Sequence, residues 1–312
     1  MGESGMIARR RLLALLSGVV LTGGEIPTLA AAAATRSKHT YAFKQVDVFG
    51  EAPLGGNPLA VAIGADGMSE AEMAAFARWT NLSETTFLQS PTKAGADYRV
   101  RIFGGNGAEF PFAGHPTLGS CHVWLENGGK PKGDEIVQEC GIGLVRLRRE
   151  KDRIALLAPP LRRDEALAPD LLARICRGLG LSRDEVTASR LLDNGLEWIC
   201  IKIASRERLL ALKPDWSVLD NTQQLGLIAP WGEGGIAFEV RGLASDGEDP
   251  VTGSLNASLS QWLMATGMAP DHYIVSQGTV LGRTGRVHVD RDADGNWIGG
   301  RVKTCIEGTL NL

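Results

Sequence analysis

Two segments 139 residues apart carry one pattern, and a chain written that way folds twice around a shared centre. Phe110-Pro-Phe-Ala-Gly-His-Pro-Thr-Leu-Gly-Ser-Cys121 returns in altered form as Asp249-Pro-Val-Thr-Gly-Ser-Leu-Asn-Ala-Ser-Leu-Ser260. In each copy a glycine, Gly114 or Gly253, precedes His115 or Ser254 and then an apolar run that closes on Gly128 or Gly267. The same offset relates Gly56-Asn-Pro-Leu-Ala-Val-Ala-Ile63 to Gly195-Leu-Glu-Trp-Ile-Cys-Ile-Lys202, each a glycine turn feeding a buried strand. Tyr98-Arg-Val-Arg-Ile-Phe103 and Ile236-Ala-Phe-Glu-Val-Arg241 likewise stand just ahead of the two glycine-led helices. Identities between the halves are few, so shared order and spacing carry the argument.

A glycine at the mouth of a helix lets backbone N–H groups approach a ligand closely. Those unpaired donors, together with the helix dipole, favour an anion. Two such mouths facing each other would grip a small carboxylate.

The 312 residues hold 33 basic against 36 acidic side chains, so no cationic face of the kind a polyanion needs is expected. Nucleic acid is therefore excluded as a partner, and a small molecule is expected instead. The first 35 residues differ in kind from the rest. Arg9-Arg-Arg11 precedes an apolar core from Leu12 to Leu21 and an alanine run from Ala30 to Ala34. That order reads as a cleavable, twin-arginine-like export signal leading to the periplasm, with a cytoplasmic location if the leader does not function. The core is too short to span a bilayer of about 30 Å as a helix, and no other segment reads as a membrane span.

Cys121, Cys140, Cys176, Cys200 and Cys305 are odd in number and lie at no metal-ligand spacing, so no metal site is expected. Each sits in an apolar run and reads as a buried free thiol, with one or two disulfides as the alternative in an oxidising compartment. From Tyr41 onward short strands outnumber helices. Ser69-Glu-Ala-Glu72 is a capping box opening a helix whose Ala71, Ala74, Ala75 and Phe76 are expected towards the core. The helix after Gly114 carries Leu118, Cys121 and Leu125 on one stripe. A strand is expected at Gly235–Val240. Pro159-Pro160 and Arg162-Arg-Asp-Glu165 mark a boundary. The divisions that follow are an export signal at 1–35, an N-terminal half at 40–158, a C-terminal half at 159–290, and terminal strands at 291–312 free to return to the first half. No regular strand-helix alternation appears, so the class is α+β, with a curved sheet around one long helix per half.

Among motifs, Asp290-Arg-Asp-Ala-Asp-Gly295 matches the start of a calcium loop, but Arg301 stands where its closing glutamate belongs. A polar hairpin turn is the better reading. Among the histidines, His115 is singled out by its place between Gly114 and Pro116 at a repeated helix mouth. Glu84 stands where a loop enters an apolar strand, a poor place for a carboxylate unless it is paired or its charge is used. Partial burial would raise its pKa and suit it to receive and return a proton, while capping of the strand end is the plainer alternative. Asp249 reads as a turn residue or as a group that holds a substrate amine or His115.

Taken together, Gly56-Asn-Pro-Leu-Ala-Val, Asn81-Leu-Ser-Glu-Thr-Thr-Phe, Pro111-Phe-Ala-Gly-His-Pro-Thr-Leu-Gly and Glu248-Asp-Pro-Val-Thr-Gly-Ser resemble the phenazine biosynthesis PhzF-like family in order and spacing. The resemblance runs from about Tyr41 to Leu312 and implies a diaminopimelate epimerase-like fold of two pseudo-symmetric halves with the active site between them. It implies an isomerase of the trans-2,3-dihydro-3-hydroxyanthranilate type, working without cofactor on a small carboxylate, and a homodimer. By motif it makes Glu84 the acid/base residue, with His115, Asp249 and Ser254 orienting substrate and Gly114 and Gly253 offering N–H groups. Two departures from the family pattern, Gly104-Gly105 after Arg-Ile-Phe and Leu255 after Gly-Ser, flank the expected cleft and point to a different substrate. The competing readings are an amino-acid epimerase or racemase on the same scaffold and a non-catalytic carboxylate-binding protein. Racemization ordinarily wants two opposed bases, commonly thiols, and no cysteine lies at either mouth.

Overall fold

In the computed structural model of the protein, residues 39–220, 224–232 and 234–312 are described. The export leader read in residues 1–35 lies outside them.

The first half runs β1 (Thr40–Val48), β2 (Asn57–Ile63), α1 (Glu70–Thr80), β3 (Glu84–Gln89), β4 (Tyr98–Gly104), β5 (Glu109–Phe110), α2 (Gly114–Glu126), β6 (Ile136–Cys140), β7 (Gly143–Glu150) and β8 (Arg153–Leu157). The second half begins with β9 (Arg163–Glu165), α3 (Pro169–Leu179), β10 (Val186–Asp193), β11 (Glu197–Ile203) and α4 (Arg206–Ala211). It continues through β12 (Leu225–Pro230), β13 (Phe238–Ala244), β14 (Gly247–Asp249), α5 (Gly253–Ala265), β15 (His272–Gln277), β16 (Gly285–Asp292) and β17 (Gly295–Gly300), and β18 (Val302–Asn311) ends the chain.

Pairing repeats with the sequence. β2 runs parallel to β3 and β4 parallel to β6, and their counterparts β11 with β12 and β13 with β15 are parallel too. β8 and β17 join the halves antiparallel, and β18 returns to pair antiparallel with β1 along its whole length.

Each half wraps its curved sheet around one helix, α2 or α5. The expected single stripe on α2 is too narrow. Gly114 through Cys121 are all buried, as are all residues of α5 from Gly253 to Ser260. A helix that is apolar or small on every side belongs inside a sheet rather than on it. Val46, Val48, Leu59, Tyr98, Leu118 and Leu147 pack into the core around α2, and Val240, Leu255, Leu259 and Val287 into the same cluster around α5.

Other expectations need correction. The α1 capping box forms, with Ser69 N–H donating to Glu72 at 2.9 Å and Glu72 N–H to Ser69 Oγ at 3.3 Å. Phe76 is buried as expected and Ala74 half-buried, but Met73 and Ala77 complete the buried face while Ala71 and Ala75 are exposed, because the helix turns to bury its two large apolar side chains. The strand expected at Gly235–Val240 is β13 and starts at Phe238. Gly234 and Gly235, at φ of 84° and 80°, are in a left-handed turn no strand can contain. Cysteines 121, 140, 176 and 200 are buried free thiols, but Cys305 on β18 is exposed and free.

Candidate functional site

The two glycine helices meet at their N-termini. Ala113 and Thr252 cap them in extended conformations without a side-chain hydrogen bond, so no side chain closes either first turn. Pro116 removes one donor from the first turn of α2, leaving the N–H groups of Gly114 and His115 there and those of Gly253 and Ser254 in α5. Gly114, His115, Gly253 and Ser254 all line one cleft of about 530 Å³ between the halves. Glu84 and Asp249 line the same cleft, so all six residues singled out in the sequence converge.

Glu84 reaches the cleft from the first position of β3, beside Gly104 on β4. Its side chain is 16% exposed, and Oε2 lies 3.5 Å from His115 Nε2. Neither atom finds a hydrogen-bond partner among the described residues. Burial is the main force on this carboxyl and Asp249's charge the second, and together they raise its pKa to about 8. His115, 3% exposed, is held neutral because burial lowers its pKa to about 3, against a partly opposing hydrogen bond to the Pro58 backbone.

Asp249 is raised as well, by burial first, but hydrogen bonds from Thr252 and Asn57 pull it back, so it holds its proton less firmly than Glu84. Thr252 Oγ1 donates to Asp249 Oδ2 at 2.7 Å and Asn57 Nδ2 to Asp249 Oδ1 at 2.6 Å. Two carboxyls in one cleft share their titration, and the member with more hydrogen-bond donors keeps the charge. That member is Asp249.

Asn57, part of the Gly56-Asn-Pro motif, is a further residue of the site that the sequence reading does not single out. It sits at the start of β2 with no exposed surface, donates also to the Val251 carbonyl at 3.0 Å, and lies 3.3 Å from His115 Nδ1. One side chain of the first half thus ties down the turn of the second. Its own turn is fixed by buried Asp47, which accepts from Gly56 N–H through both carboxylate oxygens at 3.0 and 3.1 Å. A signal was available, since an asparagine between a glycine and a proline at the mouth of an apolar strand has no packing reason to be there.

Asp249 and His115 therefore both lie against the Asn57 amide. Gln277 completes this scaffold by donating to Asp249 O at 3.2 Å and Thr252 Oγ1 at 2.8 Å while accepting from Thr252 N–H. Asn194 anchors the second mouth by donating to the Ser254 carbonyl at 3.1 Å.

Of the two departures from the family pattern, Gly104 and Gly105 do line the cleft. Leu255 does not. It is fully buried, with Cδ1 only 2.4 Å from where a methyl on Gly226 of β12 would stand, so it faces the sheet.

The arrangement is suited to general acid/base work on a small anion: one carboxyl able to gain and lose a proton, N–H groups from two helix mouths, and a rigid polar frame behind them.

Comparison with known proteins gives the family. Residues 46–308 match the model of the family described as phenazine biosynthesis-like protein. The chain is 35% identical over 291 residues to antisense-enhancing sequence 1 of Schizosaccharomyces pombe, covering 86% of this chain and 98% of that one. It is 32% identical over 193 residues to trans-2,3-dihydro-3-hydroxyanthranilate isomerase of Pseudomonas fluorescens, covering 61% and 66% respectively. Among solved structures, a predicted epimerase from Pseudomonas aeruginosa superposes with a TM-score of 0.73 at 25% identity, covering 86% of this chain and 99% of that one. The fold is the diaminopimelate epimerase-like one and the protein is an isomerase. The chain belongs to the phenazine biosynthesis-like, or PhzF-like, family.

Proposed function

We propose that this protein isomerises a small cyclic amino- or hydroxycarboxylate by moving one proton from one carbon to another, with Glu84 as the carrier and no cofactor. The observation that carries the reading is the Glu84 carboxyl itself, buried in the cleft with an unpartnered oxygen 3.5 Å from a neutral imidazole. A structural carboxylate would be paired, and this one is left free to act.

The ionised carboxyl takes a proton from an sp³ carbon of the substrate, and the electron pair left behind spreads into the conjugated system and its carboxylate. N–H groups at the mouths of α2 and α5 would receive that growing negative charge. Protonated Glu84 then returns the proton to a second carbon, which restores its own charge. His115 and Ser254 would orient the substrate, and Asp249, held by Asn57 and Thr252, would anchor an amino group. One base suffices because removal and return occur on one face.

The relative from P. fluorescens is named for trans-2,3-dihydro-3-hydroxyanthranilate, so that compound leads a panel of cyclic amino- and hydroxycarboxylates incubated in D2O. A turned-over compound gains solvent deuterium on carbon, and kcat/KM rises with pH as Glu84 ionises, reaching half its maximum near 8. Exchange with a pH-independent kcat/KM between 6 and 9 would contradict the assignment.

A further inference from the structure

Glu84 has a counterpart in the second half, and the counterpart is not an acid. In the first half Ala60 of β2 pairs with Thr85 of β3, so Leu59 and Glu84, one step earlier on each parallel strand, are neighbours. In the second half Ile199 of β11 pairs with Leu225 of β12, which sets Trp198 beside Gln224 in the same register. Ile199 follows Ala60 by the repeat offset of 139, so Trp198 and Gln224 occupy the places of Leu59 and Glu84.

Both residues line the cleft. Trp198 is 4% exposed, and neither its Nε1 nor Gln224 Oε1 finds a hydrogen-bond partner among the described residues. A buried indole N–H and a buried amide oxygen left unpaired are costly unless a ligand completes them. A donor and an acceptor on neighbouring strand positions are together complementary to a hydroxyl, which accepts from the one and donates to the other. A carboxylate has no proton for the amide oxygen, and an ammonium has no lone pair for the indole.

We propose that Trp198 and Gln224 form a hydroxyl-binding subsite on the second-half wall of the cleft and determine which carboxylates it accepts. The inference rests on the carboxylate reading above. It also explains why the pseudo-symmetric site has one base: the second position is used for recognition.

Calorimetric titration of the full chain with benzoate, 3-hydroxybenzoate, 4-hydroxybenzoate and isophthalate tests it without turnover. The wild type binds one of the hydroxybenzoates at least about fivefold more tightly than benzoate, as one net hydrogen bond or two would give. Gln224→Leu removes that advantage and leaves benzoate within twofold. Trp198→Phe, which keeps a ring and deletes the N–H, also lowers the advantage, and it decides the matter if Gln224→Leu fails to bind benzoate. Equal binding of benzoate and both hydroxybenzoates, tightest binding of isophthalate, or an advantage that survives both substitutions would overturn the subsite alone. Failure of the wild type to bind any of the four would overturn the carboxylate reading and the subsite with it.

Discussion

Gly114 and Gly253 touch backbone to backbone at the pseudo-twofold centre. A methyl built on Gly114 would stand 2.6 Å from the Gly253 Cα, and one on Gly253 would stand 2.8 Å from the Gly114 Cα. The obstacle in each case is main chain, which cannot swing aside. Two helix mouths can share one ligand only if they come this close, so both positions are glycine for the same reason.

Gly253→Ala should therefore push the mouths apart. Overpacking of this kind costs about 1–3 kcal/mol, and the thermal midpoint should fall with it. Turnover should fall further than stability explains, because the N–H groups no longer converge. Thermal melts and kcat/KM on the same preparation check this, and unchanged values would show the contact is dispensable.

Asn57→Ala removes the donor shared by Asp249 and the Val251 carbonyl. Leaving buried acceptors unpaired costs about 1–3 kcal/mol. The Asn57 hydrogen bond also lowers the Asp249 pKa, so its loss should move the rising limb of the pH–rate profile as well as the denaturation midpoint. A stability loss with an unmoved pH profile would make Asn57 purely structural.

Glu84→Gln should stabilise the fold in alkali. The folded-state pKa lies near 8, above the usual carboxyl value of 4.5, so the folded chain keeps a proton that the unfolded chain gives up. That contribution is full below pH 4.5 and is lost as pH rises to 8. The glutamine variant has no such loss, so its melting temperature should exceed the wild type's at pH 8–9 and match it more closely at pH 4.5. A gap independent of pH would contradict the raised pKa.

Cys305 should be the one thiol that reacts quickly with a disulfide reagent in the native protein, with Cys121, Cys140, Cys176 and Cys200 reacting only on unfolding. Burial raises the Cys121 thiol to about 12 and raises Cys200 too, so these are unreactive as well as hidden. Rapid labelling of more than one thiol would refute this.

The repeat was legible because its two helix mouths cannot vary: Gly114 and Gly253 are held by contact, and the fourteen-residue spans to Gly128 and Gly267 follow helix length. Glu84 was legible as a carboxyl in an apolar setting. Asn57 was legible only as a polar residue at the mouth of an apolar strand, since the partners that give it its role lie 58 and 192 positions away. Strands β10 and β12 are not legible in the sequence because their pairing depends on β11 between them rather than on alternation of their own. Cys305 was misjudged because an apolar-looking terminal strand lies at the sheet's edge, where Ile306 is also exposed. The buried face of α1 was misread because alanine is neutral between core and surface, while Met73 and Phe76 are not.

Solvent exchange by Glu84→Gln is the decisive measurement, made on the first compound the wild type turns over in D2O. The variant should still bind that compound within a few-fold of the wild type and incorporate no deuterium on carbon. Deuterium incorporation at the wild-type rate would mean that another group carries the proton.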